Sequence, residues 1–241
     1  TPHLLANPHT DFSFFVFLFD CRFLIGGILF KLARDRGIFN SDEAAAKVAG
    51  HELKGLTALF NANRVHKLGF ALPLVAIIDH LGFRAIALAL LPVSPDTLVL
   101  GSRDGGVSIV SRVPPDVDAR LRKMAEALNV RVHRVRGVEI PLAIDCELHL
   151  GTDGRYYLLD LSRVMPPEAP DKNYTGGHLY RLLRPEFVRS GRPLCSDACS
   201  PFLNKEAERD VYHSHVVSAT KRLVALTVQL VALSLDQLHG G

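Results

Sequence analysis

The chain has 241 residues, of which 48% are apolar and 22% charged, and its formal net charge is +3. This is ordinary globular composition: it excludes a disordered polyelectrolyte, and the length suffices for one large domain or two small ones. Arg outnumbers Lys 20 to 8, which supplies planar forks suited to carboxylates and phosphates but is also what a compositional bias of the genome produces.

Residues 12–36 are apolar, and a helix is expected from about Asp20 onward, ended by Gly37. Asn40 or Ser41 then caps a second helix, with Asp42 and Glu43 in the first turn and apolar residues at helical spacing through Phe60. Short strands are expected over 74–78 and 83–91. Residues 97–100 and 107–112 flank a glycine-rich turn as a hairpin, residues 116–128 form a helix after Pro114 and Pro115, and 130–135 a basic strand. Residues 140–150 and 156–161 pair across Gly151-Thr152-Asp153-Gly154. A Pro/Gly/Asn-rich loop over 166–177 follows, then helices over 178–183, 185–190, 202–212 and 215–238. The order of helices, strands and helices predicts an α+β fold, with a central antiparallel or mixed sheet and helical segments at both ends. One domain covers 1–241: a mainly helical part over 1–72, a sheet-rich core over 73–165, the loop, and a helical part over 178–241.

The apolar runs at 12–30 and 223–235 are too short to cross a bilayer and are expected to be buried helices, so no transmembrane segment is expected. Four cysteines (Cys21, Cys146, Cys195, Cys199) with no signal peptide before them fit a reducing compartment, and a cytoplasmic location is expected.

Several constellations could carry chemistry. Asp160 ends a mostly apolar strand, so it needs a partner, with Arg163 or Arg155 the nearest; the alternative is a metal- or phosphate-handling carboxylate. The hairpin ending at Asp160 resembles the strand pair that carries a magnesium-binding Asp in kinase-like folds. However, Gly101–Gly106 is not G-x-G-x-x-G, and neither a following lysine nor a catalytic loop is found. Asp145, Glu147 and His149 share one strand face. Cys195 and Cys199 with His213 and His215 form a weak zinc-like set, unusual in its H-x-H spacing. Basic residues gather at Arg131, Arg134 and Arg136, and again at Arg181, Arg184, Arg189 and Arg192 among Tyr180 and Phe187. Arginine with aromatics is what single-stranded RNA recognition uses.

Three segments resemble signatures of the clustered-mitochondria (Clu) family. The first is RGIFNSDEAAAKVAGHELKG over 36–55, the second GTDGRYYLLDLSRVMPP over 151–167, and the third HLYRLLRPEFV over 178–188. Their order and spacing also agree with the family pattern. The resemblance implies the central domain of a large cytosolic protein associated with mitochondrial distribution, messenger RNA, ribosomes and translation. It implies no catalytic residue and no cofactor. His51, Glu52, Lys54, Asp153, Arg155, Asp160 and Arg163 become candidates for a shared polar site or for fold-determining roles. The expected partners are mRNA or the ribosome. The apolar residues over 223–235 suggest self-association or docking to other regions of a larger parent protein.

Overall fold

The computed structural model describes residues 22–102, 107–203 and 207–239. It is an α+β fold with two four-stranded antiparallel sheets and a small hairpin. The first sheet has the order β1-β2-β4-β3, built from β1 (Arg22–Ile25), β2 (Ile28–Leu32), β3 (Val75–His80) and β4 (Phe83–Ala89). β1 and β2 turn at Gly26 and Gly27, both with positive φ, and pair Ile25 with Ile28. The helix expected from Asp20 onward is therefore corrected to a hairpin from Arg22, while residues 12–21 of the apolar run lie outside the described residues. A two-glycine turn supplies the left-handed backbone such a hairpin needs, and a run apolar on both strand faces hides the alternation that would mark it as extended.

Helix α1 (Asp42–His66) follows. The Ser41 side chain accepts the Ala44 N–H at 3.2 Å, Asp42 and Glu43 face the helix's positive end, and Lys67 closes it in the left-handed conformation at φ 52°. The helix runs past the expected end at Phe60. Its small residues Ala45, Ala49 and Gly55 allow close approach to the elements it covers.

The second sheet has the order β10-β9-β5-β6, from β5 (Leu98–Gly101), β6 (Val110–Ser111), β9 (Glu147–Leu150) and β10 (Tyr156–Leu159). The glycine-rich turn between β5 and β6 falls partly outside the described residues. β9 is shorter than the strand expected over 140–150, because residues 141–146 run as buried turns. At the β9–β10 turn, Tyr157 donates to Asp153 at 2.8 Å, and Asp153 accepts the Arg155 N–H at 3.2 Å. Helix α2 (Pro115–Leu128) packs on α1, and β7 (His133–Val135) pairs with β8 (Val138–Ile140). The main core gathers α1, α2, the second sheet and the C-terminal turns around residues such as Leu59, Leu121, Ile144, Leu158 and Leu161.

Short helices α3 (Gly177–Tyr180) and α4 (Pro185–Arg189) lead to the long α5 (Arg209–His239), which is continuous where two helices were expected. Val216 is buried, but Val228, Leu230 and Leu233 are 60–64% exposed. The expectation that residues 223–235 form a buried helix is corrected: Leu223 packs against the main core, but the large apolar residues from Val224 to Leu235 are 42–64% exposed. By length and composition α5 is apolar enough to cross a membrane. Its charge-free stretch, at about 1.5 Å per residue, reaches only roughly 20 Å against about 30 Å of bilayer hydrocarbon.

Candidate functional site

The three signature segments meet. Glu52, fully buried on α1, accepts the Leu161 N–H at 3.1 Å, just beyond β10. Where the backbone passes Leu161, α1 carries Gly55, and a Cβ there would lie 1.9 Å from the Leu161 carbonyl oxygen. His51 contacts the Tyr180 carbonyl at 2.8 Å through Nε2. A carbonyl only accepts, so Nε2 carries the proton and Nδ1 is left as an acceptor. Burial lowers the His51 pKa to about 4, so the ring is neutral at physiological pH.

Beneath this junction lies a buried polar spine. Arg163 pairs with Asp145 at 2.9 Å and also with Asp197. Asp197 accepts from His133 Nε2 at 2.8 Å and from the Ile144 N–H at 2.8 Å. His133 Nδ1 meets the Arg131 carbonyl at 3.2 Å, so both ring nitrogens face acceptors. Burial opposes a charge on His133, but Cys195 and Asp197 outweigh it and raise its pKa to about 10. Asp160, in the left-handed conformation at φ 56°, sits at the other end of this spine with Lys31, Glu52 and Glu147 as its charged neighbours. Burial, then Glu147, raises the Asp160 carboxyl well above the ordinary range. Burial lowers Lys31 to about 8, against the pull of Asp160 and Glu52.

The expected Asp160–Arg163 and Asp160–Arg155 pairs are therefore corrected. Arg163 turns to Asp145 and Asp197, Arg155 approaches Asp153 at 3.8 Å, and the cation facing Asp160 is Lys31. Asp153 and Arg155 lie at the opposite end of β10 and belong to its turn. The zinc-like set is also corrected. Cys199 approaches His213 at 3.8 Å, while His215 turns toward Arg192 and Arg131. Residues two apart on a helix point to different sides. Among the described residues no group of three or more His, Cys, Asp or Glu side chains is arranged to hold a metal ion.

Above the spine the signature segments line an open cavity of about 370 Å³. α1 contributes His51, Lys54, Ala58 and Asn61, whose spacing puts them on one helix face. Leu161 and Met165 floor it, and Arg184 and Arg189 stand on its far wall with Glu186. On the other side of α4, a smaller cavity of about 180 Å³ is lined by Phe187, Arg192, His215 and Arg222, with no acidic residue in its wall. Arg222 lies 4.4 Å from the Phe187 ring centre, and Arg131 lies 5.4 Å from that of Tyr212. The Arg131 N–H donates to Leu194, which brings it to this same surface.

The predicted arginines thus divide. Arg134 pairs with Glu139, Arg181 pairs with Glu168 and stacks on Tyr174, and Arg136 donates to the Val107 carbonyl. Arg131, Arg184, Arg189 and Arg192 have no carboxylate partner among the described residues and flank α4 together. Sequence reasoning missed Lys31 and Asp197 as members of the polar spine. Asp197 lies inside the Cys195-to-Cys199 segment, and its partners come from residues 133, 144 and 163.

An α+β module whose signature segments enclose one cationic cavity is the class of protein this geometry defines. The family model for clustered mitochondria matches residues 20–170, and the chain belongs to that family. The first two signature segments fall within the match, and the third lies beyond it. The chain is 31% identical over 197 residues to the clustered mitochondria protein of Arabidopsis thaliana, covering 77% of this chain and 13% of that protein. Against the clustered mitochondria protein homolog of Xenopus tropicalis it is 31% identical, over 54% of this chain and 10% of that one. Against protein clueless of Drosophila willistoni it is 29% identical, over 69% and 12%. The chain thus spans a small fraction of these relatives' length. No solved structure matches it significantly.

Proposed function

We propose that the chain is a non-catalytic, cytoplasmic module of a clustered-mitochondria protein that associates with mRNA or with ribosomal RNA, in the service of mitochondrial distribution. The observation that carries this reading is the belt of cations around α4. Lys54, Arg184 and Arg189 border one cavity, Arg192 and Arg222 the next, and Arg131 adjoins them. Two of these guanidinium groups stack on aromatic rings. Unpaired cations beside aromatic and apolar surface attract a phosphate backbone and offer planes on which bases stack. The relatives' names supply the mitochondrial part of the reading. Filter binding of single-stranded RNA tests it. Affinity should fall steeply between low and physiological salt, and Arg184→Glu with Arg189→Glu and Arg192→Glu should weaken it at least tenfold. Salt-independent binding, or a triple variant that binds as well as the parent, would refute it.

A second reading rests on α5. Exposed Val224, Val228, Val231 and Leu235 make this helix end an apolar surface fit for self-association or for another region of the parent protein.

A further inference from the structure

We infer that the larger cavity is a binding site for one unstacked nucleotide of an RNA strand, an inference that rests on the RNA reading above. The cavity's volume of about 370 Å³ falls at the small end of the range for ligand sites. Its parts are arranged as a nucleotide requires. The floor is apolar and formed by Leu161, Met165 and Leu183. Lys54 from α1 and Arg184 and Arg189 from the α4 segment line it, with Glu186 the one acidic residue among its lining, and these three cations can take the phosphates that flank the base. Both arginines can also lie flat on a base.

The lining also offers mixed donors and acceptors. Asn61 is exposed and its side-chain amide has no hydrogen-bond partner among the described residues, so it offers both. The Thr57 hydroxyl donates to the Leu53 carbonyl at 2.8 Å, which leaves its lone pairs as acceptors. His51 Nδ1 is an acceptor because Nε2 serves the Tyr180 carbonyl. A base edge carries this same mixture, whereas the carboxylates of an acidic peptide would need donors alone. The floor is rigid as well: Glu52 holds the Leu161 N–H, and Gly55 brings α1 against the Leu161 carbonyl.

Titration calorimetry with uridine and adenosine 5′-monophosphate tests the site, beside inorganic phosphate, oligouridylate and an abasic ribose-phosphate strand of the same length. The intact chain should bind the mononucleotides, and inorganic phosphate should compete only at concentrations at least a hundredfold higher. Thr57→Trp, which fills the cavity from an exposed helix position, should weaken mononucleotide binding at least tenfold. Asn61→Ala, which leaves the cavity open and the fold untouched, should weaken it about threefold. Oligouridylate should bind more tightly than the abasic strand, and Thr57→Trp should abolish that difference. Mononucleotide affinity unchanged in both variants, or matched by inorganic phosphate, would overturn the inference. If both variants bind oligouridylate as the parent does, the RNA reading stands and the nucleotide site falls. If no RNA binds at either salt concentration, the RNA reading fails and the inference with it.

Discussion

The two helices that dominate this chain use their side chains in opposite ways. α1 spends small and charged residues on one junction: Gly55 under Leu161, Glu52 on its N–H and His51 on Tyr180. The far half of α5 carries large apolar residues that stay 42–64% exposed. Burial therefore does not track hydropathy here. The more polar helix is the one whose substitutions should be costly, and the more apolar helix the one whose substitutions should be cheap.

The sharpest way to break this contrast lies within α1 itself. Gly55→Ala forces a Cβ to within 1.9 Å of a backbone carbonyl that cannot move without disturbing β10. The loss should be about 3 kcal/mol or more, the upper range for overpacking. Gly50→Ala, on the same helix, meets only the tip of Arg84 at 3.5 Å. It should stabilise by roughly 0.5–1 kcal/mol, the helix-propensity gain of alanine over glycine. Urea denaturation of both variants checks the pair. Equal effects would mean that α1 does not pack on Leu161 as described.

A smaller effect should come from His51. Its pKa is lowered from 6.5 to about 4, chiefly by burial. The folded state therefore holds the neutral ring while the unfolded chain takes up the proton first. The stability this contributes is complete above pH 6.5 and is lost as the pH falls toward 4. His51→Gln keeps a donor for the Tyr180 carbonyl and removes the titration. Other groups titrate in the same window, among them His178, also lowered to about 4 by burial, and Asp145, raised to about 6 by burial. They are common to parent and variant and cancel in the difference. Between pH 7 and 4.5 the parent should lose roughly 1–3 kcal/mol more than His51→Gln. Parallel melting curves would show that the ring is not buried against α3.

The α1 side of the comparison was largely legible in the sequence. Ser41, Asp42 and Glu43 announce the helix start, and the Asp153-Gly154 turn announces the β9–β10 hairpin, because caps and turns act over a few residues. The signature segments marked His51, Glu52 and Lys54, but not their division of labour. Glu52 faces inward to a backbone N–H, while Lys54, two residues on, faces the cavity. The polar spine was not legible. Asp197 meets His133 across 64 residues and Arg163 across 34, and nothing local in the sequence selects those partners. The β1–β2 hairpin was missed for the converse reason. Its apolar residues continue on both faces, so the two-residue period is masked and only the paired glycines mark the turn.

The α5 side gives the smallest effect on stability and the clearest on assembly. Val228, Val231 and Leu235 are each at least half exposed. Changing all three to Gln removes apolar surface that the folded monomer does not bury, so the unfolding free energy should shift by no more than about 0.5 kcal/mol per site. If α5 is the scaffold surface, the parent should sediment as a concentration-dependent oligomer and the triple variant as a monomer. A parent that stays monomeric at high concentration removes self-association and leaves docking to another region of the parent protein as the use of this helix. A large loss of stability in dilute, monomeric triple variant would contradict the comparison directly. The helix would then be packed on this chain, and its hydropathy would be that of an ordinary core element.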